Sequence, residues 1–283
     1  MLTKADLHIH TKCSDGRLLP EQAVEVAHKR GLAALSITDH DTFEGYFEAI
    51  DKANALGIEL IPGVEITSSF KNQEAHILAY YFDVNTTYFS DFLKSQRIAR
   101  RSRIKGIIKT LNGKGLNLDY DEVRAEANGA NIGRPHVAKV LVGKGYARNH
   151  NDAFIRYLST ERLGEIENTY PDYKDVIEIV RNIGGATILA HPAKHYKSSE
   201  IIEFIDAGID GLECIHPSHN FDLQKKYTKI VEEHSLLLTG GSDYHGGYEM
   251  AERHLGVVCV ALKHIEKMKR MTDQRKQLVE IKN

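Results

Sequence analysis

The sequence predicts an α/β fold, a βα barrel interrupted by a helical insertion. Short apolar runs alternate with helical patterns over residues 5–82, the pattern becomes almost wholly helical from about 85 to 168, and the alternation resumes at Tyr173. Strand–helix alternation is the signature of parallel βα units. About seven strands separated by helices favour a barrel over an open sheet.

The first part of the chain supplies four predicted strands and two predicted helices. The first helix has Pro20 near its start and Gly31 at its end, as helices commonly do. The second helix is closed by Gly57. The predicted strands cover 5–9, 32–37, 58–64 and 75–82, and the predicted helices cover 20–30 and 42–55.

The spacing of apolar residues also predicts the helices and strands of the insertion and of the second part of the chain. Apolar residues at helical spacing predict a helix over 91–111, with shorter helices at 121–127, 135–142 and 152–158. After the insertion, predicted strands at 186–190, 211–215 and 236–239 alternate with helices at 176–182, 200–207 and 223–234, and 254–260 is one more candidate strand. We therefore divide the chain into a first barrel part at 1–84, an insertion that caps the substrate at 85–168, a second barrel part at 169–262, and a charged helix or tail at 263–283.

Composition excludes several classes of protein. The formal net charge of the 283 residues is −2, so no overall basic field attracts nucleic acid or membranes. The three cysteines, Cys13, Cys214 and Cys259, form no CxxC pair, which favours a reducing compartment and a cytoplasmic protein. We expect no signal peptide, no membrane span and no obligate protein partner.

Histidine and carboxylate side chains gather where the predicted strands end. In parallel βα folds, reactive groups collect beyond the carboxyl ends of the strands. His8 and His10 leave the same side of a strand because strand periodicity is two, so both can reach one ion. Nine residues are candidate metal ligands: His8, His10, Asp15, His40, Glu65, His76, His191, Asp243 and His245.

Nine ligands exceed the needs of one four-coordinate ion, so two or three divalent ions are expected. Imidazole and carboxylate together suit Mn, Fe and Zn, and Glu65 could bridge two of the ions through its two oxygens. Such a cluster lowers the pKa of a bound water and clamps the oxygens of an in-line displacement. Phosphoryl transfer is the reaction that most needs this neutralisation of charge.

Five segments resemble the motifs of PHP (polymerase and histidinol phosphatase) domains. They are ADLHIHTKCSDG at 5–16, ITDHDT at 37–42, PGVEIT at 62–67, LAHP at 189–192 and GGSDYH at 240–245. The resemblance implies a distorted (β/α)7 barrel with three divalent ions. It assigns His8, His10, Glu65 and Asp243 to one ion, Asp15, His40 and His245 to a second, and Glu65, His76 and His191 to a third.

The segment Ile132-Gly133-Arg134-Pro135-His136 is similar to the TrpH-like branch of that family. This resemblance implies phosphatase activity on nucleoside 5'-monophosphates or 3',5'-bisphosphates, and 5'→3' trimming of short RNA. The expected nucleophile is a hydroxide bridging two ions, with His8, His10, Glu65, Asp243 and His245 as the catalytic set. Arg134, His136, His216 and His219 are candidate substrate-binding residues.

Two other functions stay open at this point. One is a phosphatase of small metabolites such as histidinol phosphate, and the other is a metal-binding PHP module without catalysis. Simpler roles are also assigned to residues near the motifs. His150, with His28, His234, His254 and His264, is interpreted as a surface or core residue. Asp41 is interpreted as a helix cap. The charges at 97–105 could hold a second phosphate or an RNA backbone, but a solvated helix face is the preferred interpretation.

Overall fold

A central sheet of eight strands organises the molecule. The structure is a computed structural model that describes residues 3–163, 166, 169–193, 195–246 and 254–282. The strands are β1 (Lys4–Ile9), β2 (Ala34–Ile37), β3 (Glu59–Phe70), β4 (Gln73–Tyr80), β5 (Ala186–Leu189), β6 (Gly211–Ile215), β7 (Leu237–Gly240) and β8 (Val260–Ala261).

Helices connect most of these strands. They are α1 (Pro20–Lys29), α2 (Glu44–Leu56), α3 (Thr87–Gly113), α4 (Tyr120–Ala127), α5 (Arg134–Gly143), α6 (His150–Ala153), α7 (Thr160–Leu163), α8 (Tyr173–Asn182), α9 (Ser198–Asp206), α10 (Phe221–Glu233) and α11 (Leu262–Lys282). A π-helical turn, Phe154–Leu158, follows α6 directly.

The sheet curls into a nearly closed barrel, which confirms the predicted fold class. Its order is β7-β6-β5-β4-β3-β2-β1-β8. The strands β1, β2 and β3 are parallel, as are β5, β6 and β7. The barrel closes between β1 and the residues after β7, where the amide of His10 donates to the carbonyl of Tyr244 at 2.8 Å. Gly241 permits this approach, since a Cβ there would lie 2.4 Å from the Cβ of His8.

One strand departs from the regular alternation of strands and helices. β4 is antiparallel to both β3 and β5, and it follows β3 through a tight turn at Lys71 and Asn72, whose φ angles are 49° and 63°. The beginning of β4 therefore lies at the same edge of the barrel as the carboxyl ends of the other strands. His76, near the beginning of β4, reaches that edge only because of this reversal.

The C-terminal part also differs in detail from the prediction. The strand expected at 254–260 shrinks to the two residues of β8, which pair antiparallel with β1. The charged segment after it is the helix α11, the first of the two predicted alternatives. Ile265 and Met268 of α11 are buried in the same apolar cluster as Ala5 and Leu7 of β1, and Arg275 pairs with Asp210 at 2.7 Å.

Two separate apolar interiors support the molecule. One set of clusters packs helices such as α1, α2, α8 and α10 around the barrel. A further cluster joins the second half of α3 to α4, α5 and the residues up to Leu163. The helical segment α3–α7 thus has an apolar core of its own. Within the described residues, no helix is long and apolar enough to cross a membrane.

Candidate metal centre

Contacts among side chains link all nine predicted ligands into one cluster at the carboxyl-end edge of the barrel. His8 comes from β1 and His10 directly follows it, while Glu65 comes from β3 and His76 from the beginning of the reversed β4. Asp15, His40, His191, Asp243 and His245 lie on the loops that follow strands. His8, His10, Asp15 and Glu65 are buried, and His8, His10 and Glu65 are at most 1% exposed. The other five ligands are half-buried.

The first group consists of His8, His10, Glu65 and Asp243. The Nε2 atoms of the two histidines are 3.2 Å apart. They lie 3.3–3.5 Å from Glu65 Oε2 and 3.2–3.4 Å from Asp243 Oδ1. A tetrahedral ion with ligand bonds of about 2.0–2.1 Å separates its ligands by about 3.3–3.4 Å. The distances among His8, His10 and Asp243 therefore fit ligands of a single divalent ion. Glu65 Oε2 lies close enough to both histidines to contribute to the same group.

The negative charges in this group also favour the binding of a cation. Glu213 accepts from Nδ1 of His8 at 3.0 Å, which leaves Nε2 of His8 facing two carboxylate oxygens. Burial opposes protonation of His8, but the charges of Glu213, Glu65 and Asp243 raise its pKa well above the ordinary value. Acceptor atoms that converge in a buried space are unfavourable unless a proton or a metal ion lies among them.

The remaining ligands surround Asp15 and the second oxygen of Glu65. His245 Nε2 lies 3.3 Å from Asp15 Oδ1, and His40 Nε2 lies 3.7 Å from Asp15 Oδ2. Oε1 of Glu65 lies 2.9 Å from both His76 Nδ1 and His191 Nε2. Glu65 thus offers one oxygen to the first group and the other to these two histidines, which is the geometry of a bridging carboxylate. His40 also contacts Glu65 Oε2 at 3.0 Å, so it lies between two groups.

Electrostatics hold the carboxylates of the cluster in their charged form. Burial alone would raise the pKa of Glu65, but His76, His40 and His8 hold it well below its usual range. Burial would also raise the pKa of Asp15, but His245 and His40 hold that pKa low.

Two ligands adopt left-handed backbone conformations, His191 with φ 26° and Asp243 with φ 49°. Such strain is uncommon outside glycine and concentrates at functional sites.

A second layer of buried carboxylates orients the ligands. Asp39 accepts from the amide and hydroxyl of Thr11 and from the hydroxyl of Ser14, so it fixes the loop that leads to Asp15. Asp6 accepts from the amide of Ser242, beside Asp243, and burial raises the pKa of Asp6 to about 6.

Two members of this layer, Glu213 and Glu74, were missed in the sequence. Glu213 accepts from His8 and from the amide of His191, and Glu74 lies 3.0 Å from Nε2 of His76. Metal-bound histidines commonly place their second nitrogen against a carboxylate. A lone acidic residue within an apolar run is the signal that could have identified Glu213.

A cavity of about 370 Å³ opens above the ligands. Its walls combine ligands from the barrel with residues from the helical segment. Arg17, Arg134 and Lys139 bring positive charge to it, and Phe154 brings an aromatic ring. It is lined by Asp15, Arg17, His40, Glu74, His76, Arg100, Arg134, Pro135, Lys139, His150, Phe154, Asp243, His245 and Gly246. His150, interpreted from the sequence as a surface or core residue, also lines this cavity.

The four candidate substrate-binding residues have different surroundings. Arg134 lines the cavity and forms a salt bridge with Glu74 at 3.2 Å. His136 is buried beside it at the start of α5, where Nδ1 accepts from the amide of Gly133 at 2.9 Å. This contact gives His136 a helix-capping role.

The two histidines that follow β6 also differ from each other. Both ring nitrogens of His219 bond to backbone, Nε2 to the amide of Ala193 and Nδ1 to the carbonyl of Cys214. His219 therefore holds loops together. Nε2 of His216 lies 3.4 Å from Asp243 Oδ2, while its Nδ1 accepts from the amide of Ser218. His216 thus contacts a predicted ligand directly.

Asp41 and Arg100 form a buried ion pair that the sequence did not predict. Asp41 was interpreted as a cap of the following helix, but its carboxylate accepts from the amide and hydroxyl of Thr67 instead. Arg100 Nε lies 2.9 Å from Asp41 Oδ2. Arg100 had been placed on a solvated helix face, and this too was wrong, because it is only 6% exposed. The pair attaches α3 to β3 at the rim of the cavity.

Comparisons with known proteins agree with this geometry. The PHP domain family model matches residues 6–183. The chain is 33% identical over 250 residues to a 5'-3' exoribonuclease of Haemophilus influenzae, covering 87% of this chain and 91% of that protein. It is 30% identical over 250 residues to a 3',5'-nucleoside bisphosphate phosphatase of Chromobacterium violaceum, covering 86% and 88%.

Two solved structures share the fold over nearly the whole chain. One, described as a metal-dependent phosphoesterase of Bifidobacterium adolescentis, has a TM-score of 0.83 at 31% identity and covers 94% of this chain and 96% of that one. The other is an amidohydrolase of Chromobacterium violaceum with bound sulfate and no metal. Its TM-score is 0.82 at 28% identity, and 96% of each chain is covered.

Proposed function

The chain belongs to the PHP domain family, and from this premise we propose that it is a metal-dependent phosphoesterase acting on nucleotides. The proposed reaction releases phosphate from nucleoside 3',5'-bisphosphates or 5'-monophosphates and trims short RNA in the 5'→3' direction. The observation that carries the proposal is one cavity whose wall combines five of the clustered ligand side chains with the cationic groups of Arg17, Arg134 and Lys139. The five ligands are Asp15, His40, His76, Asp243 and His245.

The ligand cluster fits two or three divalent ions, and Mn, Fe and Zn are the metals that suit its side chains. We propose the grouping that the family resemblance implies. His8, His10, Glu65 and Asp243 would hold one ion, Asp15, His40 and His245 a second, and Glu65, His76 and His191 a third. Bound ions would lower the pKa of a water molecule towards about 7 and neutralise charge on the phosphoryl group. His8, His10, Glu65, Asp243 and His245 form the proposed catalytic set.

The protein's own residues would orient the phosphate. A guanidinium group binds two phosphate oxygens at once, so Arg134 suits this role at the cavity wall. Its present partner, Glu74, lies 3.2 Å away and already orients it towards the ligands. A bound phosphate would be bordered by Arg134 on one side and the cluster on the other, an arrangement that stabilises an in-line displacement.

The nucleotide part of the proposal depends on the helical segment and on the relatives. We propose that residues 85–168 form a cap over the ions. Phe154 and His150 from this segment line the cavity and offer rings against which a base can stack. The relatives from Haemophilus influenzae and Chromobacterium violaceum are named for RNA and for nucleoside bisphosphates.

A substrate panel tests the proposal. The protein is stripped with a chelator and reloaded separately with Mn²⁺, Fe²⁺ or Zn²⁺. Phosphate release is then measured from 3'-phosphoadenosine 5'-phosphate, AMP and histidinol phosphate, and a labelled short RNA is followed on gels. Faster release from the bisphosphate or AMP than from histidinol phosphate supports the proposal. The opposite order favours a small-metabolite phosphatase, and no hydrolysis at all favours a non-catalytic metal-binding module.

A pair of histidine variants connects activity to the cluster. His10→Ala removes a proposed ligand and is expected to abolish phosphate release, because the first ion loses one of four side chains. His234→Ala, on the exposed end of α10, is the matched control and is expected to retain full activity. Equal activities of the two variants would exclude the proposed role of the cluster.

A further inference from the structure

The strand β6 supplies no ligand to the proposed ion sites, yet its buried carboxylate contacts two of them. Glu213 is fully buried, and its side chain points to the cluster from between β5 and β7. Oε1 lies 3.0 Å from Nδ1 of His8. Oε2 accepts from the backbone amide of His191 at 2.7 Å. One carboxylate therefore contacts the side chain of one ligand and the backbone of another.

These two contacts have different consequences. An ionised carboxylate accepts hydrogen bonds only, so the proton of the neutral His8 ring must reside on Nδ1. The lone pair of His8 is then on Nε2, the atom that faces His10, Glu65 and Asp243. At His191 the contact holds a backbone with φ 26°, a conformation that a residue with a side chain seldom adopts. Loss of this bond would release the loop that carries His191.

We propose that Glu213 is a positioning residue that fixes the tautomer of His8 and the loop of His191, and thereby couples two of the ion sites. The inference rests on the proposed metal centre and names a residue outside its ligand set. His8 belongs to the first proposed group and His191 to the third. Through its two oxygens Glu213 orients both, so one substitution should weaken binding at both sites together.

Glu213→Gln is the decisive variant. The amide keeps the size of the side chain but replaces one acceptor oxygen by an NH2 donor. Either the His8 ring or the His191 amide then faces a donor and loses its partner. We expect Mn²⁺ and Co²⁺ to bind about 10–100-fold more weakly than to the wild-type protein. The visible spectrum of bound Co²⁺ is expected to change, because the orientation of His8 is no longer fixed.

Asp210→Asn is the matched control. Asp210 immediately precedes β6, at the end of the strand that is remote from the cluster. Its carboxylate pairs with Arg275 at a distance of 2.7 Å. This substitution is expected to lower the thermal midpoint without changing metal affinity. Glu213→Asp is the second Glu213 variant. It keeps the charge and both acceptors on a side chain shorter by one methylene, and an intermediate affinity is expected.

The 283-residue protein is stripped with a chelator, titrated with metal and passed through gel filtration, and its metal content and Co²⁺ spectrum are then measured. Weaker binding by Glu213→Gln but not by Asp210→Asn supports the inference. Wild-type affinity and spectrum in Glu213→Gln overturn it, as does equal loss in both variants. If Glu213→Gln does not fold, the same criteria apply to Glu213→Asp. If the wild-type protein binds metal but hydrolyses no substrate, only the proposed function fails. The role of Glu213 is still decided by the metal titrations.

Discussion

Replacing Arg100 with methionine is expected to destabilise the protein by about 3–5 kcal/mol, the cost of leaving a buried charge without its partner. Asp41 is fully buried, and Arg100 Nε lies 2.9 Å from its carboxylate. After the substitution, the carboxylate retains only the two bonds from Thr67. The hydroxyl of Thr67 also loses the guanidinium bond at 2.6 Å.

Urea unfolding followed by circular dichroism measures this loss. The matched control is Arg97→Met, one turn earlier on α3, where the partner Glu44 is 61% exposed. An exposed pair contributes less than about 1 kcal/mol, so this control should change little. Adding Asp41→Asn to Arg100→Met removes the stranded charge, so the double variant should cost less than the sum of the single ones. An Arg100→Met variant no less stable than Arg97→Met would refute the reasoning.

Three further predictions follow from the fold and the site. Burial lowers the pKa of His136 to about 4 from its ordinary 6.5, so stability falls as the pH drops through that window. His136→Asn should therefore cost about 2 kcal/mol less at pH 5 than at pH 7.5 in urea titrations, and equal costs would contradict the pKa shift. Gly241→Ala places a Cβ 2.4 Å from that of His8 and should cost about 1–3 kcal/mol; the control Gly113→Ala has open space and should stabilise α3 by about 0.5–1 kcal/mol. Mn²⁺ at about 100 times its dissociation constant should stabilise the chelator-treated protein by about 2.7 kcal/mol, and an unchanged thermal midpoint would show that the folded cluster binds no Mn²⁺.

The sequence was sufficient to predict those features that are determined by residues close to one another along the chain. The pair His8 and His10 lies on one side of β1 because strand periodicity is two, and that periodicity can be recognised in three residues. The alternation of apolar runs and helical patterns predicted the barrel for the same reason. The proposed ligands at the ends of strands follow from this alternation, since each stands next to an apolar run.

Features that depend on long-range packing could not be predicted. The apolar run of β4 looks the same in either direction, and only its pairing with β3 and β5 shows that it is reversed. Glu213 contacts a histidine 205 residues away, so nothing near it in the sequence indicates the contact. Arg134 and His136 are two positions apart on one helix and point to different places, because the orientation of α5 decides which side chain faces the cavity.

The reversal of β4 also sets the length of α3. The chain leaves β4 at the edge of the barrel opposite the ligands, so the residues that follow must travel the height of the barrel to return. α3 has 27 residues, about 40 Å of helix. It contacts Phe82 near its start, Thr67 and Asp41 midway, and the core of the helical segment near its end. Removing one residue from α3 would lower everything beyond it by about 1.5 Å and rotate it by about 100°, so the distance between Arg134 and the ligands depends on a helix that begins at the far side of the barrel.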